Sequence, residues 1–238
     1  MTALPNDNSV IVGDLWTFVN VLPDSSYIQT VHTAKRSEVE AAKFIKKVKE
    51  NSDGQAPLFS SDGFYYSESL YNNYSTMHEV PYSGKGRPCK PIRVIDCDLK
   101  YVQLIKEHKK GKLVSTKTQI VCGNELEILQ LIDESERSNT INTSFVESRN
   151  GSYRKDIKRL TRKTKCHSKD ADLHIGHINL LTGVYNYTKE NESFREIINP
   201  EAKLFEQKYK KVSPAMKEGI LDKILTLEEL LMIRIPSG

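Results

Sequence analysis

The first 74 residues alternate between strand-like and helical runs, and this order constrains the fold more than any other feature. Residues 15–22 and 27–33 are rich in β-branched and aromatic side chains, and the turn residues between them predict a β-hairpin. Ser37 and Glu40 match a capping box at the start of a helix. The apolar face of that helix is predicted to comprise four residues, Ala41, Phe44, Ile45 and Val48. A strand and a second helix follow, so the order predicts an α/β (α+β) fold, a mixed sheet with flanking helices.

An aspartate follows the third predicted strand directly, in the sequence "LFSSDGFYY". Residues 57–61 have strand length, Gly63 suits a turn, and residues 65–74 are interpreted as a helix. Asp62 is therefore expected at the carboxyl end of a strand, where open α/β sheets collect ligands and catalytic groups. The alternative is an Asx-turn or a helix cap without a chemical role.

Residues 81–124 differ in character and are interpreted as an insertion. A loop is expected at first, and residues 101–123 predict a second hairpin with its turn at residues 109–112. Residues 124–136 then have helical spacing. The side chains expected to turn inward are Leu126, Leu129 and Ile132, with Leu131 as a further candidate. Asn142 or Thr143 is predicted to cap the next helix.

Positive charge is concentrated in two segments. The chain has 35 Lys and Arg against 31 Asp and Glu, a net charge of +4. Residues 149–165 hold eight cations and one acid, and residues 85–117 hold ten cations and three acids, so each segment contributes +7 and the remainder totals −10. A basic run is usually a solvated face, but two such runs on an otherwise acidic chain favour a polyanionic partner, nucleic acid in particular.

One acid precedes the second basic segment on a predicted helix, "SFVESRNGSYRKDIKRLTRKT". The spacing from Glu147 places four polar residues on or near one helix face, namely Asn150, Arg154, Lys158 and Arg162. Glu147 would also lie near the positive end of the helix dipole. Ordinary surface charge explains the pattern equally well. The spacing alone therefore does not favour a functional role over charged residues on a solvent-exposed helix.

Four stretches together resemble the catalytic region of prokaryotic insertion-sequence transposases of the IS-one type. These are "LFSSDGFYY", "INTSFVESRNGSYRKDIKRLTRKTKCHSK", "VYNY" and "SPAMKEGILDKILTLEELL". The resemblance implies a ribonuclease-H-like fold and a triad of two aspartates and one glutamate that binds two divalent ions, Mg²⁺ or Mn²⁺. It assigns Asp62 as the second acid and Glu147 as the third, both as catalytic residues and metal ligands. It implies a DNA contact from Arg154. The helix spacing and the basic segment add five further candidates for DNA binding, namely Asn150, Lys158, Arg159, Arg162 and Lys163.

The first acid of the triad is harder to assign. Family members have an Asp-Glu-x-Trp strand and, further on, a "GD-x-W" stretch, and "VGDLWTFV" is similar to the latter. Asp14 is then a strand-entry residue, and the chain is expected to be a fragment or a decayed copy that lacks the first acid, the zinc ribbon and the helix-turn-helix region. The alternative is that Asp14 is a displaced but working first ligand.

The resemblance also implies how the chain is divided into segments, which partners it has and where it is located. Residues 10–80 form the first part of the catalytic core, 81–124 the basic insertion, 125–195 the rest of the core, and 196–238 a C-terminal helical tail. DNA is the expected partner, with a possible homodimer and no membrane, and the expected location is the cytoplasm at the nucleoid.

Two functions stay open at this level. One is DNA strand transfer by metal-dependent phosphodiester hydrolysis and transesterification, and the other is a non-catalytic DNA-binding or oligomerisation remnant. A zinc site drawn from Cys166, His167, His174 and His177 is disfavoured, since the chain has no C-x-x-C pair.

Overall fold

The structure is a computed structural model, and it forms two compact units. The residues that it describes are 15–53, 55–64, 66–82, 84, 87, 89–135, 140, 141, 143–161, 165, 168–203 and 207–233. The sheet unit comprises Trp16–Phe18 and the described residues of Ala34–Glu147. The helix unit comprises Leu15, Val19–Thr33 and the described residues of Ser148–Gly238. No helix in these ranges has the length and apolar character needed to cross a bilayer.

The chain contains both strands and helices throughout its length, which confirms a mixed α/β composition. The strands are β1 Leu15–Val21, β2 Ile28–Lys35, β3 Leu58–Ser61, β4 Ser75–His78, β5 Ile92–Ile95, β6 Lys100–Lys109, β7 Lys112–Cys122, β8 Glu196–Ile197 and β9 Tyr209–Lys210. The helices are α1 Glu38–Glu50, α2 Ser67–Asn73, α3 Glu125–Asp133, α4 Ser144–Asp156, α5 Ala171–Thr188, α6 Pro214–Lys217 and α7 Leu227–Met232. Within the described ranges the sheets are small, with two or three strands each.

The predicted first helix is confirmed in both its start and its buried face. The Ser37 side chain accepts a hydrogen bond from the Glu40 backbone N–H, which satisfies one of the free donors at the start of α1. The four residues expected on the apolar face are the ones that α1 buries: Ala41, Phe44, Ile45 and Val48. They pack in the sheet-unit core, where Phe18 and Phe44 stack with ring centroids 5.6 Å apart.

The three-stranded sheet β3–β6–β7 positions the candidate site. β3 pairs with β6 in parallel, with Ser61 opposite Gln103, and β6 pairs with β7 as an antiparallel hairpin. The hairpin turn is at Lys110 and Gly111, both at positive φ, inside the predicted range. The predicted β3 strand and second hairpin are thus confirmed. The pairing shows that the hairpin contributes β6 to the same sheet as β3.

The predicted inward face of the third helix is wrong. Leu126 and Leu129 are 76% and 54% exposed, whereas Ile128 is buried. Ile128 lies against Gly123, where an added Cβ would come within 3.3 Å of its side chain. α3 therefore buries Ile128, and Ile132 is half-buried, whereas the leucines are exposed. The Glu127 carboxylate also lies 3.2 Å from the Lys100 ammonium of β6.

The helix that contains Glu147 is shorter than the sequence predicts. α4 ends at Asp156, Ile157 is extended and buried, and Lys158–Leu160 form a separate 3₁₀ turn. Burial of Ile157 fixes the chain there, and the serines, Asn150 and Gly151 of α4 have weak helix propensity. Lys158 therefore does not continue the helix face of Glu147 and Arg154, and Arg162 lies outside the described residues.

The helix unit is organised around α5, which buries a polar stripe. The buried residues of α5 are His174, Ile178, Thr182 and Asn186, spaced four apart. The Asn186 amide accepts from Ile28 N–H at 3.0 Å and donates to Ile28 C=O at 2.9 Å. The Tyr153 and Thr182 hydroxyl oxygens lie 2.5 Å apart. Side-chain hydrogen bonds thus join β2 and α4 to α5.

Candidate functional site

Asp62 lies directly beyond the carboxyl end of β3, as the sequence predicts. Its Oδ1 accepts a hydrogen bond from the Phe64 backbone N–H at 3.3 Å, so the Asx-turn interpretation is also confirmed. One carboxylate oxygen thus orders the turn. A local turn and a ligand-binding role are compatible, because a carboxylate has about four acceptor sites.

A cavity of about 620 Å³ opens beside Asp62 in the sheet unit. Its lining includes Asp62, Gly63 and Phe64 from the turn after β3, and Arg36, Ser37 and Glu38 at the start of α1. The Arg36 guanidinium carbon lies 4.6 Å from the Trp16 ring centroid and 4.8 Å from that of Phe64. Two aromatic rings therefore hold a cation beside the carboxylate.

Tyrosines support the strand end behind Asp62. The Ser61 hydroxyl lies 2.8 Å from the Tyr101 hydroxyl, which also accepts from the Gln103 amide at 2.8 Å. Burial raises the pKa of Tyr66 and Tyr101, and the negative charge of Asp62 raises both further. Both hydroxyls therefore stay protonated at neutral pH and act as structural groups.

Glu147 lies in the first turn of α4, where its carboxylate is held from two sides. The Lys106 ammonium forms an ion pair with Oε1, and the Thr143 hydroxyl donates to the same oxygen at 3.0 Å. The pKa of the Glu147 carboxyl is lowered, chiefly by the hydrogen bond from Lys106. The carboxylate is 61% exposed, so it remains accessible to solvent and ligands.

Strand register relates the two acids within the sheet unit. Ser61 is opposite Gln103, so Asp62 is level with Leu104 on the neighbouring strand. Lys106 lies two residues further along β6, about 7 Å at the usual rise per residue. Since Lys106 holds Glu147, both acids lie toward the carboxyl end of β3. The separation of the two carboxylates, predicted as about 4–8 Å for a shared metal site, stays a prediction.

The donor chemistry of this sheet end fits a hard divalent cation. Asp62 and Glu147 offer carboxylate oxygens, the ligands that Mg²⁺ prefers, and water commonly completes its shell. The Lys106 ammonium already balances the charge of Glu147, so a cation there must displace it or share the carboxylate. Within the described part of the chain, no group of three or more acids, histidines or cysteines is placed to hold a metal. Asp14, the further candidate ligand, lies outside the described residues.

The predicted DNA-contacting residues are distributed over two elements. Asn150 and Arg154 are half-buried on α4, whereas Lys158 and Arg159 are exposed in the 3₁₀ turn. Arg162 and Lys163 lie outside the described residues. The basic surface is thus a helix followed by a turn, and it presents at least two exposed cations to solvent.

Sequence reasoning missed three charged residues that the structure adds to the acids. In the sequence Lys106 is only one cation of the basic insertion, because its contact with Glu147 spans 41 residues. Arg36 and Glu38 lie in the Asp62 cavity because α1 starts there. The local sequence feature that indicates a charged site here is the pair Arg36 and Glu38, which flanks the helix cap Ser37.

The structure describes two of the four residues of the disfavoured zinc site, His174 and His177. Cys166 and His167 lie outside the described residues. His174 is buried, and burial lowers its pKa, whereas His177 is exposed. The two described histidines thus have different environments, and His174 belongs to the buried stripe of α5.

No family model, curated protein or solved structure matches this chain. The functional argument therefore depends on the residues and contacts described above.

Proposed function

We propose that this protein is a metal-dependent DNA strand-transfer enzyme of the transposase type, built on a ribonuclease-H-like core. The observation that supports the proposal most directly is that Asp62 follows β3 while Lys106 on the adjacent parallel strand holds Glu147. Two acids 85 positions apart in sequence thus belong to one end of one sheet. The carboxyl ends of parallel strands are where catalytic groups of α/β folds collect.

The proposed roles follow from the side chains. Asp62 and Glu147 would hold the divalent cation, and the Lys106 ammonium, which pairs with Glu147, would have to give up or share that carboxylate. A bound Mg²⁺ or Mn²⁺ supplies charge stabilisation at the phosphate and a lower pKa for a coordinated water. Arg36, oriented by Trp16 and Phe64, is placed to contact a DNA phosphate at the Asp62 cavity. Arg154, Lys158 and Arg159 bind the DNA backbone.

The decisive experiment is a nicking assay on supercoiled plasmid with Mg²⁺ or Mn²⁺. Asp62→Asn and Glu147→Gln are expected to abolish nicking while DNA affinity stays within about twofold, because each removes a ligand charge without removing a cation. Glu107→Gln is the matched control, since Glu107 is an exposed acid on β6 in an ion pair with Lys117. Loss of nicking in the control as well would refute a specific role for the two acids.

A non-catalytic DNA-binding module is the second candidate. It is favoured by the Lys106–Glu147 ion pair, which satisfies the acid without a metal. In that case the wild type binds DNA but neither nicks it nor binds Mn²⁺ in calorimetry. Nicking that depends on Asp62 would exclude this candidate.

A further inference from the structure

A second cavity, of about 240 Å³, lies wholly within the helix unit and is not used by the proposed acid site. It is bounded by α4 and α5, with Ile28 and Leu181 as apolar lining. The hydrogen bond between the Tyr153 and Thr182 hydroxyls joins the two helices beside it. The cavity is therefore preformed between packed elements.

Arg149 and Tyr185 both line this cavity, with the guanidinium over the aromatic ring. The Arg149 guanidinium carbon lies 4.2 Å from the centroid of the Tyr185 ring, and both side chains are half-buried. Guanidinium planes and aromatic rings are the two protein groups on which unpaired nucleic-acid bases stack. This pair, called the Arg149–Tyr185 platform below, therefore offers both kinds of group on which a base can stack.

The rim of the cavity is positive. Arg149, Lys155 and Lys189 line it against one carboxylate, Asp156, which lies 4.0 Å from the Lys189 ammonium. Three cations and one acid leave a net charge of +2. Among the described residues no carboxylate forms an ion pair with Arg149 or Lys155, so both cations are available to an anion.

The size of the cavity limits the ligand. Pockets for drug-sized molecules are about 300–1,000 Å³, so a volume of 240 Å³ suits a single planar base with its phosphate outside. A duplex cannot offer such a base without extruding it, whereas a single strand can. The combination of a planar platform, a cationic rim and a small volume is typical of a nucleotide site.

We propose that this cavity binds one unpaired nucleotide of a DNA strand, with the base on the Arg149–Tyr185 platform and the phosphate at Lys155. The inference deepens the proposed function, on which its choice of DNA as ligand rests. It assigns the helix unit a preference for single-stranded over fully paired DNA.

The test compares the affinity of the full chain for labelled oligothymidylate and for a duplex of equal length, by fluorescence anisotropy in EDTA. Tyr185→Leu is expected to weaken single-strand binding by at least about fivefold, the low end for loss of one base stack. Duplex binding should change by less than about twofold. Tyr185→Phe keeps the ring and should behave as the wild type, and thermal melting of each variant reports whether it is folded.

Two further variants separate stacking from charge. Arg149→Lys keeps the charge and loses the plane, so it should reproduce the selective loss of single-strand affinity. Lys158→Gln removes a cation outside the cavity and should weaken both DNA forms alike. Equal effects of Tyr185→Leu on both forms, or none on either, would overturn the proposal.

Free thymidine 5′-monophosphate, titrated by calorimetry, distinguishes the source of the nucleotide. Binding that Tyr185→Leu abolishes, with oligothymidylate affinity unchanged, would make the ligand a free nucleotide and refute the DNA assignment. Since EDTA removes metals, failure of the nicking assay leaves this measurement unaffected. Conversely, nicking that is lost in Asp62→Asn but unchanged in Tyr185→Leu would support the proposed function without this nucleotide site.

Discussion

At the scale of single residues, Lys106 forms an ion pair with the Glu147 carboxylate, so the metal ion of the proposed function would have to compete with Lys106 for it. The ammonium is a compact charge on a flexible stem, so it can leave when a divalent cation arrives. Lys106→Gln is therefore expected to strengthen Mn²⁺ binding by about tenfold, measured by calorimetry. Lys117→Gln is the control, because Lys117 pairs with Glu107 instead. Weaker Mn²⁺ binding in Lys106→Gln would show that Lys106 helps the site assemble.

The ion pair also predicts a pH dependence of stability. The pKa of Glu147 is depressed in the folded chain, so its contribution is present above the ordinary carboxyl pKa and is lost as pH falls through the depressed value. Because the pair is partly exposed, Glu147→Gln should cost no more than about 1 kcal/mol of unfolding free energy at pH 7. Urea unfolding at pH 7 and pH 3 measures the difference, which should be smaller in acid. A difference that grows toward pH 3 would contradict this assignment.

At the scale of elements, the buried Asn186 amide joins β2 to α5 through hydrogen bonds instead of apolar contacts. It satisfies both backbone groups of Ile28, and removal would leave a buried donor and a buried acceptor without partners. Each such group costs about 1–3 kcal/mol, so Asn186→Leu should lower the unfolding free energy by about 2–4 kcal/mol. Asn199→Leu, at an exposed position, should change it by less than about 0.5 kcal/mol. Equal stabilities in urea unfolding would refute the role of Asn186.

The break between α4 and the 3₁₀ turn defines a prediction for DNA binding. Lys158 is exposed in that turn. If it contacts a phosphate, Lys158→Ala should flatten the log–log salt dependence of DNA affinity by about 1 unit. Lys46→Ala, on α1 and paired with Glu50, should leave the slope unchanged. An unchanged slope for Lys158→Ala would identify the turn as solvated surface.

At the scale of the whole molecule, the chain has two units with separate buried groups. Phe44 packs with Phe18 and Tyr66 in the sheet unit, whereas the helix unit depends on α5. Phe44→Ala should cost about 3–5 kcal/mol. Hydrogen exchange should rise in α1 and β3 more than in α5, because the lost contacts belong to the sheet unit. An equal rise in α5 would show that the units unfold as one.

Local patterns by themselves determined the parts of this protein that depend on neighbours in sequence. The cap of α1, its four buried residues, the β6–β7 turn and the place of Asp62 after β3 all follow from helix periodicity, turn chemistry and strand length. The tertiary structure decided the rest. Parallel pairing with β3 sets the register that brings Lys106 to Glu147, burial of Ile157 ends α4, and burial of Ile128 leaves the α3 leucines facing outward. The physical reason is that each of these outcomes depends on a partner surface distant in sequence, which no local spacing specifies.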